Sequence, residues 1–266
     1  MRLVSFSKSS VLSIWFSVCV IAAFTSVSAL AFTDLTKTIK AVSPSVVGIG
    51  LMTPINARSA QLRGTGFVFG NGQYVATNYH VVSDVLDPTI VQYYAVLNGS
   101  GRRPDVLRAE IIATDLVHDI AILHITKSLP SLKLAIDEYY EPGLEIAFTG
   151  FPIGAVLGLY PATHAGIIAG LTPDSTPARN SDQLTQTIIE RLSQAFLVYQ
   201  LDATAYPGNS GSPLYLQESG IVIGIINKVF VKEGKESALT NPSGITYAIP
   251  IRHLKRLAEK HQIAWQ

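Results

Sequence analysis

Residues 206–215 read Tyr-Pro-Gly-Asn-Ser-Gly-Ser-Pro-Leu-Tyr, "YPGNSGSPLY". A run this dense in Gly, Pro, Asn and Ser is first of all a turn. Yet Ser210 is bracketed by Gly208 and Gly211, flanked by Pro207 and Pro213, and set at the mouth of an apolar strand. A plain turn needs no such frame; a serine held at a fixed angle for chemistry does. A hydroxyl is a poor nucleophile near neutral pH, so it requires a base within hydrogen-bond reach and a group that orients the base.

Both partners have good candidates. Among the six histidines, His80 stands out in Thr77-Asn-Tyr-His-Val-Val82, just after the strand-like run Tyr74–Thr77 and downstream of a Gly-Thr-Gly-Phe turn at Gly64. Among the acids, Asp119 stands out in His118-Asp-Ile-Ala-Ile-Leu123. It sits at the entrance to a strongly apolar strand, where a carboxylate is costly unless hydrogen-bonded. Singly, each feature usually has a structural use. Jointly, in this order and these contexts, they point to a nucleophile with its base and acid. His118, His124 and His164 show no metal-ligand spacing and read as barrel residues, so neither a metal nor another cofactor is expected.

Short apolar runs bounded by turns dominate the rest. Val46–Leu51, Gly66–Gly70, Tyr74–Thr77, Ala109–Ala113 and Ile120–Ile125 form one cluster of expected strands. Leu144–Thr149, Thr163–Ala169, Leu197–Leu201, Ile221–Ile226 and Ile245–Ile249 form a second. Two clusters of similar length, joined around residues 131–142, predict two β-barrels without an internal sequence repeat. Two helical patterns interrupt them. One covers 180–196, with Leu184, Ile188, Leu192 and Phe196 at a 3.6-residue period. The other follows Pro250, with Ile251, Leu254, Leu257 and Ala258 on one side and basic residues opposite.

Composition narrows the function classes. The chain has 266 residues, 48% hydrophobic and 15% charged, with a net charge of +1, which gives no electrostatic case for nucleic acid. Arg2 and Lys8 precede an apolar run from Val11 to Phe24, then Ser-Val-Ser-Ala-Leu-Ala, the pattern of a signal peptide cleaved after Ala31 or Ala29. The alternative is retention as an anchor, for which the apolar run is short. Cleavage removes Arg2, Lys8 and the one cysteine, Cys19, leaving a formal charge of about −1. A cysteine-free exported chain fits a bacterial periplasm or exterior, with no stable membrane insertion after cleavage. The expected organisation is a signal peptide over 1–31, one barrel over 32–140, the second over 141–250 and a C-terminal helix over 251–266.

On its motifs the chain resembles the trypsin-like (chymotrypsin-fold) serine peptidases, and within them the bacterial HtrA/Deg-type protease domain. The matching stretches are Ala41-Val-Ser-Pro-Ser-Val-Val47, Gly64-Thr-Gly-Phe-Val-Phe69, Thr77-Asn-Tyr-His-Val-Val82, His118-Asp-Ile-Ala-Ile-Leu123, Gly208-Asn-Ser-Gly-Ser-Pro213, Val222-Ile-Gly-Ile225 and Tyr247-Ala-Ile-Pro250. The resemblance implies an all-β fold of two six-stranded-type antiparallel barrels, with a C-terminal helix and a helical insertion in the second. It implies a serine endopeptidase acting on peptides or unfolded proteins through His80, Asp119 and Ser210, with the backbone N–H groups of Gly208 and Ser210 as oxyanion hole. A protease-fold protein that binds peptides without turnover is the second reading, and an esterase or acyltransferase the third.

Departures from the family carry information too. Only about sixteen residues follow Pro250, so the PDZ domain usual in HtrA proteins is not expected here; an oligomer is possible but not indicated. Ser212 replaces the HtrA glycine, as in the glutamyl-endopeptidase branch, but Ile226 stands where that branch has its substrate-reading histidine. By distance from Ser210, Thr204 takes the place of the acid that a trypsin-like pocket keeps for basic substrates. With Ile225, Ile226, Asn227, Ser243 and Gly244 as walls, the pocket reads as neutral and modest, which predicts cleavage after small or medium apolar residues.

Overall fold

A computed structural model of the chain describes residues 35–54, 60–136, 139–152, 158–174, 196–229 and 244–266, the side chains at 228 and 229 excepted. The expected signal peptide and nearly all of the 180–196 insertion lie outside these residues, as does Ser243. Strands β1 (Val46–Met52), β2 (Gln61–Phe69), β3 (Tyr74–Thr77), β4 (Tyr93–Asn98), β5 (Asp105–Asp115) and β6 (Ile120–Ile125) close a barrel in the order β1-β2-β3-β6-β5-β4. Strands β7 (Glu145–Gly150), β8 (Ala162–Pro173), β9 (Leu197–Asp202), β10 (Pro213–Leu216), β11 (Val222–Val229) and β12 (Ile245–Pro250) close another as β10-β11-β12-β9-β8-β7. Read backwards, the second circuit repeats the first. The expected pair of six-stranded antiparallel barrels is therefore the fold, repeated in structure without a repeat in sequence.

Closure needs bent strands, and β-bulges supply bends by adding an unpaired residue. Register shifts fall between Ile49 and Gly50 in β1, Ile111 and Ala113 in β5, Ile168 and Gly170 in β8, and Ile226 and Lys228 in β11. One apolar cluster runs through both barrels, joining Phe67, Phe69 and Ile122 of the first to Phe148, Tyr199, Leu214 and Ile225 of the second. Each such fully buried side chain contributes roughly 1.5–3 kcal/mol relative to exposure.

Helix α1 (Leu35–Val42) precedes β1, and helix α2 (Ile251–Lys260) follows β12. The apolar face of α2 is buried as its periodicity predicts, with Ile251, Leu254 and Ala258 at 0% exposure. The basic side is not wholly outward. Lys255 is buried; its ammonium donates to the Ala135 carbonyl at 3.1 Å and lies 4.2 Å over the Trp265 ring. The α2 helix also stops short of residue 266. Gln262 takes a φ of 58°, and the Ile263 N–H turns back to the Ala258 carbonyl at 2.9 Å, a Schellman-type stop that returns Trp265 to the helix.

Candidate active site

Asp119 lies in the turn between β5 and β6 with a φ of 53°, a left-handed conformation that aspartate tolerates better than most side chains. This aims its carboxylate at the short 3₁₀ turn Tyr79–Val82, which follows β3. One carboxylate oxygen accepts the His80 N–H at 2.9 Å, and the other lies 2.7 Å from His80 Nδ1. The Asp119 carbonyl accepts the Tyr79 N–H and the Asn78 side-chain amide, each at 3.1 Å. One residue thus holds the backbone and the ring of His80 together. With a carboxylate at Nδ1, a neutral ring would carry its proton there and leave the Nε2 lone pair available. The cost foreseen for a carboxylate at a strand entrance is met by these bonds.

A second pair stands directly upstream. Asp115 accepts the His118 N–H at 3.0 Å and meets His118 Nδ1 at 2.6 Å, closing the turn that delivers Asp119. Burial opposes charge on Asp115, but the hydrogen bonds from the His118 ring and backbone outweigh it and hold its carboxyl below the usual range. His118 is more than a barrel residue: its ring stacks on His253 of α2 at 3.9 Å, with the Phe196 edge 4.5 Å away. Burial first, then the neighbouring His118, Arg256 and Arg252, pushes His253 down to about 3. Its Nε2 has no hydrogen-bond partner among the described residues, as suits a neutral ring.

The serine loop is built on the second barrel and fastened to the first. Asn209 N–H donates to the Tyr206 carbonyl at 3.0 Å, closing a turn with Pro207 and Gly208 at its centre. Gly208 has a φ of 102°, so this Pro-Gly turn is type II, the geometry that requires a glycine there. The N–H groups of Gly208 and Ser210 donate to no other group among the described residues. Thr65 of β2 takes the Ser210 carbonyl with its N–H at 2.9 Å and the Gly208 carbonyl with its hydroxyl at 2.7 Å. Gly64 permits the approach: a side chain there would come within 3.0 Å of the Ser210 carbonyl and 2.8 Å of Val81. Ser210 Oγ donates to the Asn227 carbonyl at 3.1 Å and makes no hydrogen bond to His80.

Among the expected pocket residues, Thr204, Asn227 and Gly244 are half-buried, with Asn227 at the β11 bulge and Gly244 at a φ of 72°. Ile225 and Ile226 are buried in the apolar core at 0% and 1% exposure. Three further residues of the site escape motif reading. Thr65 and His253 act through carbonyls or rings distant in the chain, a pairing that no local pattern announces, and Asp115 acts through His118, three residues on.

Two closed antiparallel barrels, with a carboxylate–histidine pair on one and a glycine-bracketed serine loop on the other, define the chymotrypsin-like class of fold. The chain belongs to the trypsin-like peptidase domain family, whose model matches residues 64–225. It is 31% identical over 195 residues to a probable periplasmic serine endoprotease, DegP-like, of Pseudomonas putida, covering 73% of this chain and 33% of that protein. The magnetosome formation protease MamE of Paramagnetospirillum magneticum is 28% identical over 208 residues, covering 78% of this chain and 25% of its own. The chain spans about a third of the length of the curated relatives it matches. Among solved structures, the active form of the Rv3671c protease from M. tuberculosis superposes with a TM-score of 0.63 at 22% identity, covering 90% of this chain and 88% of that one. The serine endoprotease from Yersinia pestis gives 0.60 at 23% identity, over 86% and 66%. At these identities the structural likeness speaks for the fold.

Proposed function

We propose that the chain is an exported serine endopeptidase that hydrolyses peptide bonds through His80, Asp119 and Ser210. The observation that carries this reading is the double grip of Asp119 on the N–H and Nδ1 of His80. The Ser210 hydroxyl first leaves the Asn227 carbonyl by rotation about one side-chain bond, a picosecond-to-nanosecond event for a rotamer. His80 Nε2 then accepts its proton as Oγ attacks the scissile carbonyl, and Asp119 stabilises the imidazolium. The oxyanion takes the Gly208 and Ser210 N–H groups, which have no acceptor among the described residues. His80 returns the proton to the leaving amine, and water, activated by the same imidazole, releases the acyl group.

Cleavage after small or medium apolar residues follows from Thr204 in place of an acid, with Asn227 and Gly244 as the half-buried walls. A peptide library cleaved mainly after Lys or Arg would overturn this preference. Export is supported by the signal-like first 31 residues and by the periplasmic naming of the relatives. No helix among the described residues is long and apolar enough to cross a membrane. The decisive experiment is labelling with a fluorophosphonate: wild type is expected to react at Ser210, and Ser210→Ala to stay unlabelled.

The resting bond from Ser210 to Asn227 favours one other reading, a latent or non-proteolytic peptide-binding protein. Silence of wild type toward the probe and toward unfolded protein, with peptide binding retained, would select it.

A further inference from the structure

We propose that Thr65 is a positioning residue that sets the oxyanion donors and ties them to the histidine's strand. The inference rests on the peptidase reading above. Thr65 is 0% exposed, and every polar function it has is engaged. Its N–H donates to the Ser210 carbonyl at 2.9 Å, and its hydroxyl donates to the Gly208 carbonyl at 2.7 Å. The same hydroxyl oxygen accepts the Phe151 N–H at 3.1 Å. Its carbonyl accepts the Thr77 hydroxyl at 2.7 Å. Thr77 ends β3, and the chain runs from it straight into His80.

The two residues whose carbonyls Thr65 holds are the two whose N–H groups face the developing oxyanion in the proposed mechanism. Fixing the carbonyl of a residue fixes its ψ, and Asn209 between them is buried at 0% exposure, so the loop has little freedom left. Other bonds of the loop, such as Asn209 to Tyr206 at 3.0 Å, Gly211 to Ile226 at 2.8 Å and Ser210 Oγ to Asn227 at 3.1 Å, stay within the second barrel. Thr65 supplies the one hydrogen bond to the Gly208 carbonyl among the described residues. A hydroxyl is required at this point, because one oxygen must both donate and accept. Valine has the shape and neither capacity, leaving the half-buried Gly208 carbonyl and the buried Phe151 N–H without this partner.

With the Gly208 carbonyl released, its peptides can turn, and fewer molecules present the donor when the oxyanion forms. The loss belongs to the transition state, so it appears in kcat rather than in KM. Thr65→Val is expected to lower kcat on a peptide ester about 10–100-fold, below the cost of deleting an oxyanion donor outright. KM should stay within about 3-fold, and affinity for a peptide boronic acid should fall in parallel with kcat. Thr65→Ser, which keeps the hydroxyl, should restore kcat to within about 3-fold of wild type. A folded Thr65→Val with wild-type kcat, or one changed in KM alone, overturns the inference. If Thr65→Val does not fold, Thr65→Ala is compared with Thr65→Ser, and equal kcat for the two overturns it. Wild-type protein that neither labels with the fluorophosphonate nor turns over overturns the peptidase reading and this inference with it. Active wild type beside an active Thr65→Val overturns the inference alone.

Discussion

A left-handed aspartate is tolerated at the start of β6 because its carboxylate and carbonyl are both used by the turn that carries His80. Asn is the other side chain at ease in that conformation. Asp119→Asn should therefore keep the turn while losing the Nδ1–H acceptor, and kcat on a peptide ester should fall about 10⁴-fold. Circular dichroism melting would check that the fold survives. Gly150 makes a different demand. A side chain there would run into Ser212 Oγ and lie 2.7 Å from Asn209 Oδ1 and 3.0 Å from Thr65 Oγ1. Gly150→Ala should cost about 1–3 kcal/mol by overpacking, read as a lower melting midpoint, and should depress kcat through the displaced loop. At this scale His80, Asp119 and Ser210 are visible in the sequence because each sits in a compact motif. Thr65 is visible only as part of Gly-Thr-Gly-Phe, since its importance depends on carbonyls more than a hundred residues away, such as Gly208 at a separation of 143.

Among the elements, many of the apolar runs bounded by turn residues were legible, and those held by tertiary contact were not. Strand β4, Tyr-Tyr-Ala-Val-Leu-Asn, with its four middle residues all buried, was not among the expected strands. Helix α1 has four β-branched residues among its eight, Thr36, Thr38, Ile39 and Val42, which favour a helix less, and its Thr38 hydroxyl donates to the Gln217 carbonyl at 2.8 Å. The end of α2 was overrun because Gln262, not glycine, takes the left-handed stop. Helix α2 also makes a pH prediction. His253 is neutral in the fold with its value near 3, while an unfolded histidine titrates near 6.5. Below about pH 6.5 the unfolded chain binds a proton that the folded chain refuses, so stability falls as pH drops toward 3. At pH 5 the loss is about 2 kcal/mol, or about 4–8 °C in melting temperature for a domain of this size. Asp115, lowered below its usual value, adds a loss only under about pH 4. His253→Gln should flatten the melting profile between pH 6.5 and 5; an unchanged slope would contradict this.

For the whole molecule, the shared circuit of the barrels matters less than what they share physically. Their apolar cluster is continuous, and residues 35–266 form one compact unit. Calorimetry should therefore show a single unfolding transition whose van't Hoff and calorimetric enthalpies agree. Two separated transitions would mean that the barrels unfold independently. The returning C-terminal segment offers a way to watch part of this directly. Trp265 is the one tryptophan among the described residues, its indole N–H donates to Glu259 at 3.1 Å, and its face covers the Lys255 ammonium. That ammonium also reaches Ala135, in the chain between the barrels. Detaching the segment strips the ring of both partners, so the emission of Trp265 is expected to change when it leaves the helix, which fluorescence would check. The fold thus carries an intrinsic optical gauge of whether its last turn is seated.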